Sequence, residues 1–225
     1  MRHLTQERPS LTTLRCQGFL FDLDGVLIDS REVVERTWRR WAQRHRVDAE
    51  QFIRIAHGRR ARDTLRDIDP RFATDAEVAW LDAAELTDVD GLRAVPGAKQ
   101  FLARLPPARW GVVTSCNRSL AELRLVAGDL PLPNVFVVSE DVTVGKPAPD
   151  GYRLGAQRLG LDPAACIVFE DAPAGIAAAH AAGATVVGLT TTHVPEQLRP
   201  AAALIADFSD VRVAPRDGGF IVALP

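Results

Sequence analysis

The chain has 225 residues, of which 47% are apolar and 25% charged, with a formal net charge of −2. That balance describes a globular protein without a basic face for nucleic acid or a membrane surface, and no apolar run reaches the roughly 20 residues a membrane helix needs. The length suits one large domain or a core carrying a smaller insert.

The first ten residues contain no apolar signal core, so a cytoplasmic location is expected. Cys16, Cys116 and Cys166 stand singly and read as small core residues in a reducing compartment. Residues 1 to about 15 are polar and aperiodic and are expected to form a loose leader. Residues 18–22 are an apolar, β-favouring run, the first buried strand. Ser30 can cap a helix whose apolar face uses Val34, Trp38 and Trp41. The helical pattern continues to about Asp90, interrupted near Gly58 and Pro70, with Val78, Leu81 and Leu86 in a later helix and Trp80 in its core. Residues 31–92 thus read as a small all-helical insert, with Gly91 and Pro96-Gly97 marking the return.

From there strand and helix alternate. Helices are expected at Ala98–Leu105, after Ser119 (a capping box with Glu122), at Gly151–Leu159 and at Ala174–Ala182, the last stopped by Gly183. Strands are expected at Trp110–Thr114, Val135–Val138, Cys166–Phe169, Thr185–Leu189 and Ala203–Ile205. This alternation predicts an α/β fold with a doubly wound parallel sheet. Residues 211–214 and 220–224 flank Arg216-Asp217-Gly218-Gly219 as a terminal β-hairpin. The domain reading is a core of residues 1–30 and 93–225 with a helical cap of residues 31–92.

The first strand ends in Asp22-Leu23-Asp24-Gly25. In extended chain, residues two apart point the same way, so Asp22 and Asp24 can face one centre. Close carboxylates repel unless a cation or shared proton intervenes, and an all-oxygen site suits Mg²⁺. The plainer alternative is a buried strand ending in an acidic turn. Ligands of open α/β sheets bind outside the carboxyl ends of the strands, so the other strand ends discriminate. They carry Thr114-Ser115, Glu170-Asp171 and, in the loop beyond the third strand, Lys146. Lys146 is one of only two lysines among 27 basic residues, as if its place required a compact ammonium. Carboxylates for a metal with a hydroxyl and an ammonium for phosphoryl oxygens are the inventory of phosphoryl transfer.

In this order, FDLDGVLIDS, VVTS, GKPAPD and FEDAPAGIAA resemble the haloacid dehalogenase superfamily, in the branch with a helical cap after the first strand. The resemblance covers about residues 17–209. Through His57-Gly58-Arg59, Val95-Pro96-Gly97 and Phe169–Gly175 it extends to sugar-phosphate and glycerol-phosphate phosphatases of the yeast deoxyglucose-phosphatase type. The resemblance implies Asp22 as nucleophile and metal ligand. It implies Asp24 as acid and base, with its backbone carbonyl on the metal. Thr114 and Lys146 would hold phosphoryl oxygens, Asp171 and Glu170 would complete the Mg²⁺ site, and Ser115 and Asn117 would touch phosphate. Asn117 alternatively caps the next helix. His57, Gly58 and Arg59 would reach the substrate from the cap, or else form a solvated turn.

The implied activity is hydrolysis of a small phosphorylated metabolite by a monomer, with no nucleic-acid or membrane partner. A dehalogenase would not keep Asp24, and a phosphonate hydrolase would need a cap lysine that residues 31–92 lack. A phosphosugar mutase of the β-phosphoglucomutase type shares every core motif and is the alternative. A catalytically silent binding module, which would usually have lost one of these side chains, is a lesser one. The cap reads as shorter before Val95 than in these relatives, which leaves open which sugar or polyol phosphate it takes.

Overall fold

The structure, a computed structural model, describes residues 12–225. Its strands and helices are β1 (Thr12–Cys16), β2 (Gly18–Phe21), β3 (Ile28–Asp29), α1 (Arg31–His45), α2 (Ala49–Ala56), α3 (Ala61–Ile68), α4 (Asp75–Leu86), β4 (Arg93–Ala94) and α5 (Ala98–Leu102). They continue with β5 (Trp110–Val113), α6 (Arg118–Ala127), β6 (Val135–Val137), α7 (Asp150–Arg158), β7 (Cys166–Glu170), α8 (Pro173–Ala182), β8 (Thr185–Leu189), β9 (Ala203–Ile205), β10 (Arg212–Arg216) and β11 (Gly219–Leu224).

Six strands form one parallel sheet in the order β6-β5-β2-β7-β8-β9. The period of two divides their side chains between its faces. Phe19, Phe21, Val112, Ile167, Phe169, Val187 and Leu189 face α5, α6 and the terminal hairpin. Leu20, Val113, Cys166, Val168 and Val186 face α7 and α8. The expected doubly wound core is therefore present, with β2 central. On the first face Phe21 stacks on Phe169 with ring centroids 5.2 Å apart.

Between β3 and β4 the chain is helical, with its own apolar cluster of Trp38, Trp41, Phe52, Leu65 and Leu81. Trp41 is fully buried and its Nε1 donates to Glu77 at 2.8 Å. Trp80 is only partly buried there, with the Arg44 guanidinium 5.3 Å above its ring, and Leu86 is exposed rather than on the apolar face. β3 and β4 pair antiparallel, so the chain enters and leaves this segment through one two-stranded junction.

Four local expectations are corrected. The leader expectation for residues 1–11 lies outside the described residues, but Thr12–Cys16 is a strand paired antiparallel with β11. Together with β10 it makes a three-stranded sheet around the expected hairpin. Ser30 occupies the N-cap position of α1 without capping it, because its hydroxyl donates to Asp24 instead. The N-cap of α6 is Asn117, which accepts from the Leu120 N–H at 2.9 Å, so Ser119 lies inside the helix and forms no capping box. The helix from Ala98 ends at Leu102 rather than Leu105.

Candidate active site

β2 is flanked on both sides by parallel partners, which places Asp22 at the centre of the carboxyl edge, its N–H donating to the Phe169 carbonyl at 3.0 Å. The next strand over, β7, ends in Glu170 and continues into Asp171. Asp22, Glu170 and Asp171 are all essentially buried, and each offers an oxygen within 4.8 Å of the others. Lys146 reaches between them, its Nζ 2.5 Å from Asp22 Oδ1 and 2.7 Å from Glu170 Oε1. Glu170 is further fixed by the Tyr152 hydroxyl at 2.6 Å and by the Asp171 and Ala172 N–H groups. Gly25, at φ 75°, and Gly175 keep the carboxylates close to backbone: a Cβ on Gly25 would lie 2.1 Å from Asp171 Oδ2, and one on Gly175 1.7 Å from Glu170 Oε1.

Three buried carboxylates share one ammonium, and the electrostatics follow. Burial, reinforced by Glu170 and Asp24 against Lys146, pushes Asp22 up to about 7. Burial and the charges of Glu170 and Asp22 raise Asp171 well above the usual carboxylate range. Lys146 is raised although burial opposes it, because Asp22 and Glu170 favour its charged form. The cluster is short of positive charge. Asp171 Oδ2 accepts from Thr192, but Oδ1 is buried with no partner at all. An all-oxygen donor set with an orphaned carboxylate oxygen fits a divalent cation such as Mg²⁺.

Asp24 does not join this cluster. The extended chain ends at Phe21, and Asp24 turns its carboxylate towards Ser30 Oγ (2.6 Å), Cys116 Sγ (3.0 Å) and Arg124 Nη1 (2.5 Å). Both Asp22 and Asp24 line one cavity of about 390 Å³ between the sheet edge and the helical segment. Thr114 and Ser115 also line it. Thr114 Oγ1 accepts the Cys116 N–H, and Ser115 Oγ donates to the Gly58 carbonyl at 3.0 Å. Asn117 caps α6 and lines the cavity as well.

His57, Gly58 and Arg59 lie on the opposite wall. Burial, with the charge of His193 beside it, lowers His57 to about 4, so it is a neutral ring near pH 7. Gly58 takes φ 75°, and Arg59 is ion-paired to Asp67.

Several residues at the site carry no sequence signal. Tyr152 and Thr192 secure the carboxylates, and His193 Nδ1 lies 3.1 Å from the Asp171 carbonyl. Cys116 lines the cavity instead of serving purely as core filling. Arg124 is fully buried in α6 and paired with both Asp24 and Glu85 of α4. Burial, against the pull of Arg124, pushes Glu85 up to about 7.

A family model for haloacid dehalogenase-like hydrolases matches residues 16–183, a span holding every one of the strand-end residues named above. The chain belongs to that family. Among its relatives, this hydrolase is 39% identical to hexitol phosphatase A of Escherichia coli over 93% of its own length and 99% of the relative's. It is 42% identical to validoxylamine A 7'-phosphate phosphatase of Streptomyces hygroscopicus, over 86% and 94% of the two chains. Its fold superposes on a hydrolase from Pseudomonas syringae with TM-score 0.77 and 27% identity, over 86% of this chain and 94% of that one.

Proposed function

We propose that this hydrolase is a Mg²⁺-dependent phosphatase acting on a small phosphomonoester, a sugar or polyol phosphate. The observation that carries the reading is the buried Asp22–Lys146–Glu170 arrangement with Asp171 Oδ1 left unpartnered beside it. The names of the relatives support the substrate class.

In this reading Asp22, Glu170 and Asp171 hold the cation, with the Asp24 carbonyl as a further ligand. The bound cation supplies positive charge against the phosphoryl oxygens. Asp22 uses one carboxylate oxygen to attack phosphorus, giving an aspartyl-phosphate. Lys146, held in its charged form by two carboxylates, offsets the repulsion between Asp22 and the anionic ester. Thr114, Ser115 and Asn117 bind phosphoryl oxygens through N–H and hydroxyl groups. Asp24 gives a proton to the departing alkoxide and then takes one from the water that attacks the aspartyl-phosphate.

The same proposal divides the chain into a core of residues 1–30 and 93–225 and a cap of residues 31–92, hinged at the β3–β4 junction. His57, Gly58 and Arg59 close the cap side of the site. A cavity of about 390 Å³ holds a small ester and leaves little room for bulk water. All the groups used lie on one chain, consistent with action as a monomer. The three cysteines are unpaired, which suits the cytoplasm.

Phosphate release from a panel of polyol, sugar and cyclitol phosphates, with and without Mg²⁺, tests the reading. Release that requires the cation and disappears in Asp22→Asn is expected. Folded, Mg²⁺-supplied protein that releases no phosphate from any of them refutes it.

A further inference from the structure

The proposed chemistry makes no use of Arg124, yet its guanidinium is more thoroughly buried than any other charged group on the wall beside Asp24. Its side chain is 2% exposed in α6, among Leu120, Ala121 and Leu125. Desolvating a guanidinium costs several kcal/mol unless its donors are matched by acceptors. The matching here is specific. Nη1 is ion-paired with Asp24 Oδ2 at 2.5 Å and donates to Cys116 Sγ at 2.8 Å. Nη2 donates to Glu85, a side chain of α4 in the helical segment, and Nε has no partner. The Cys116 thiol donates to the same Asp24 oxygen, and Ser30 holds the other one.

Glu85 thus meets Arg124 across the boundary between the helical segment and the core, and Arg124 meets Asp24 inside the core. A guanidinium is a planar fork, so a carboxylate that fixes one nitrogen also fixes the direction of the other. Without Glu85, Arg124 keeps a buried charge with one carboxylate and a thiol, and its plane is free to tilt. The Asp24 oxygen it holds would tilt with it.

We propose that Glu85 and Arg124 are positioning residues for Asp24. The seating of α4 against α6 sets the direction of the Asp24 carboxyl through the guanidinium between them. This rests on the proposed role of Asp24 in proton transfer. It carries a consequence that a merely structural ion pair lacks. An alkoxide leaving group needs a proton from Asp24 in flight, whereas p-nitrophenolate departs without one. Misdirecting Asp24 therefore costs more on alkyl than on aryl esters.

The test compares Glu85→Gln with the wild type on glycerol phosphate and on p-nitrophenyl phosphate by kcat/KM, which reports the step that expels the alcohol and not the later hydrolysis common to both esters. The expected loss of kcat/KM is at least about tenfold greater on the alkyl ester. Glu85→Asp restores part of that loss. Equal losses of kcat/KM on the two esters overturn the proposal.

A second measurement is independent of turnover. Glu85 and Asp24 do not touch each other but repel directly through space, so the part of their coupling that changes when Arg124 is removed reports on the guanidinium. The melting-temperature shifts of Glu85→Gln and Asp24→Asn are expected to be non-additive in the double variant, with a coupling that changes in an Arg124→Met background; a coupling unchanged by Arg124→Met overturns the proposal. Additive shifts with Arg124 in place overturn the proposal. Should the wild type hydrolyse neither these esters nor any of the panel above, the phosphatase reading fails, and this cycle still decides the role of Arg124.

Discussion

Replacing Lys146 with methionine removes the ammonium and keeps most of the stem. In the folded protein the ammonium lies 2.5 Å from Asp22 and 2.7 Å from Glu170, with both partners buried. Deleting one member of a buried ion pair typically costs about 3–5 kcal/mol, because the charge left behind has no compensation. Here three carboxylates would be left without a counter-charge, so the upper part of that range applies. For a chain of this length each kcal/mol is worth roughly 2–4 °C, giving a fall in Tm of about 10 °C or more.

The pH dependence has a definite sign. Asp22 is raised from its ordinary 3.8 to about 7, so the folded state binds a proton that the unfolded state releases. That contribution costs stability as pH rises through the window between the two values. Lys146→Met removes the charge that opposes the rise and deepens the cost at higher pH. Urea titrations followed by tryptophan fluorescence should therefore show the largest loss near about pH 8 and a smaller one near about pH 5. Mg²⁺ should restore part of the loss by supplying positive charge to the cluster. A loss below about 1 kcal/mol at the higher pH, or one unchanged across the range, would refute this electrostatic account.

Three further outcomes are expected. Mg²⁺ should raise the Tm of the unaltered protein more at about pH 8 than at about pH 5, because protons and metal compete for the same carboxylates; equal shifts in differential scanning fluorimetry would contradict this. Gly175→Ala in α8 would ordinarily help a helix by about 1 kcal/mol, but its Cβ would fall 1.7 Å from Glu170 Oε1, so it should destabilise and weaken Mg²⁺ binding by about tenfold or more, as read by calorimetry. Asp24→Asn should lower kcat/KM on alkyl esters by at least about a hundredfold and on p-nitrophenyl phosphate much less, and equal kcat/KM for the wild type and the variant on alkyl esters would remove Asp24 from leaving-group protonation.

The positions of Asp22, Thr114, Lys146, Glu170 and Asp171 were legible because each follows an apolar run or lies in a loop whose sheet end is dictated by parallel topology. The alternation of strand with helix also revealed the doubly wound parallel sheet, since parallel strands need helical crossovers. What escaped notice depends on contacts made across long stretches of chain. β1 reads as leader because only Leu14 and Cys16 alternate with exposed Thr13 and Arg15, and its partner strand lies at the other end of the chain. Ser30 has the side chain of a helix cap, but Asp24 competes for its hydroxyl. Arg124 looks like an ordinary polar residue on an amphipathic helix. Its acceptors, Asp24 and Glu85, come from two other parts of the fold, so no local pattern distinguishes it from a solvated arginine.

The central claim is that the Asp22 carboxylate attacks phosphorus. Attack by Asp22 followed by water makes two in-line displacements, each inverting the phosphorus centre, so a phosphorothioate ester made chiral with two oxygen isotopes and hydrolysed in water of the third should yield chiral inorganic thiophosphate with net retention. Net inversion would mean that water attacks the ester directly, and would contradict the role assigned to Asp22.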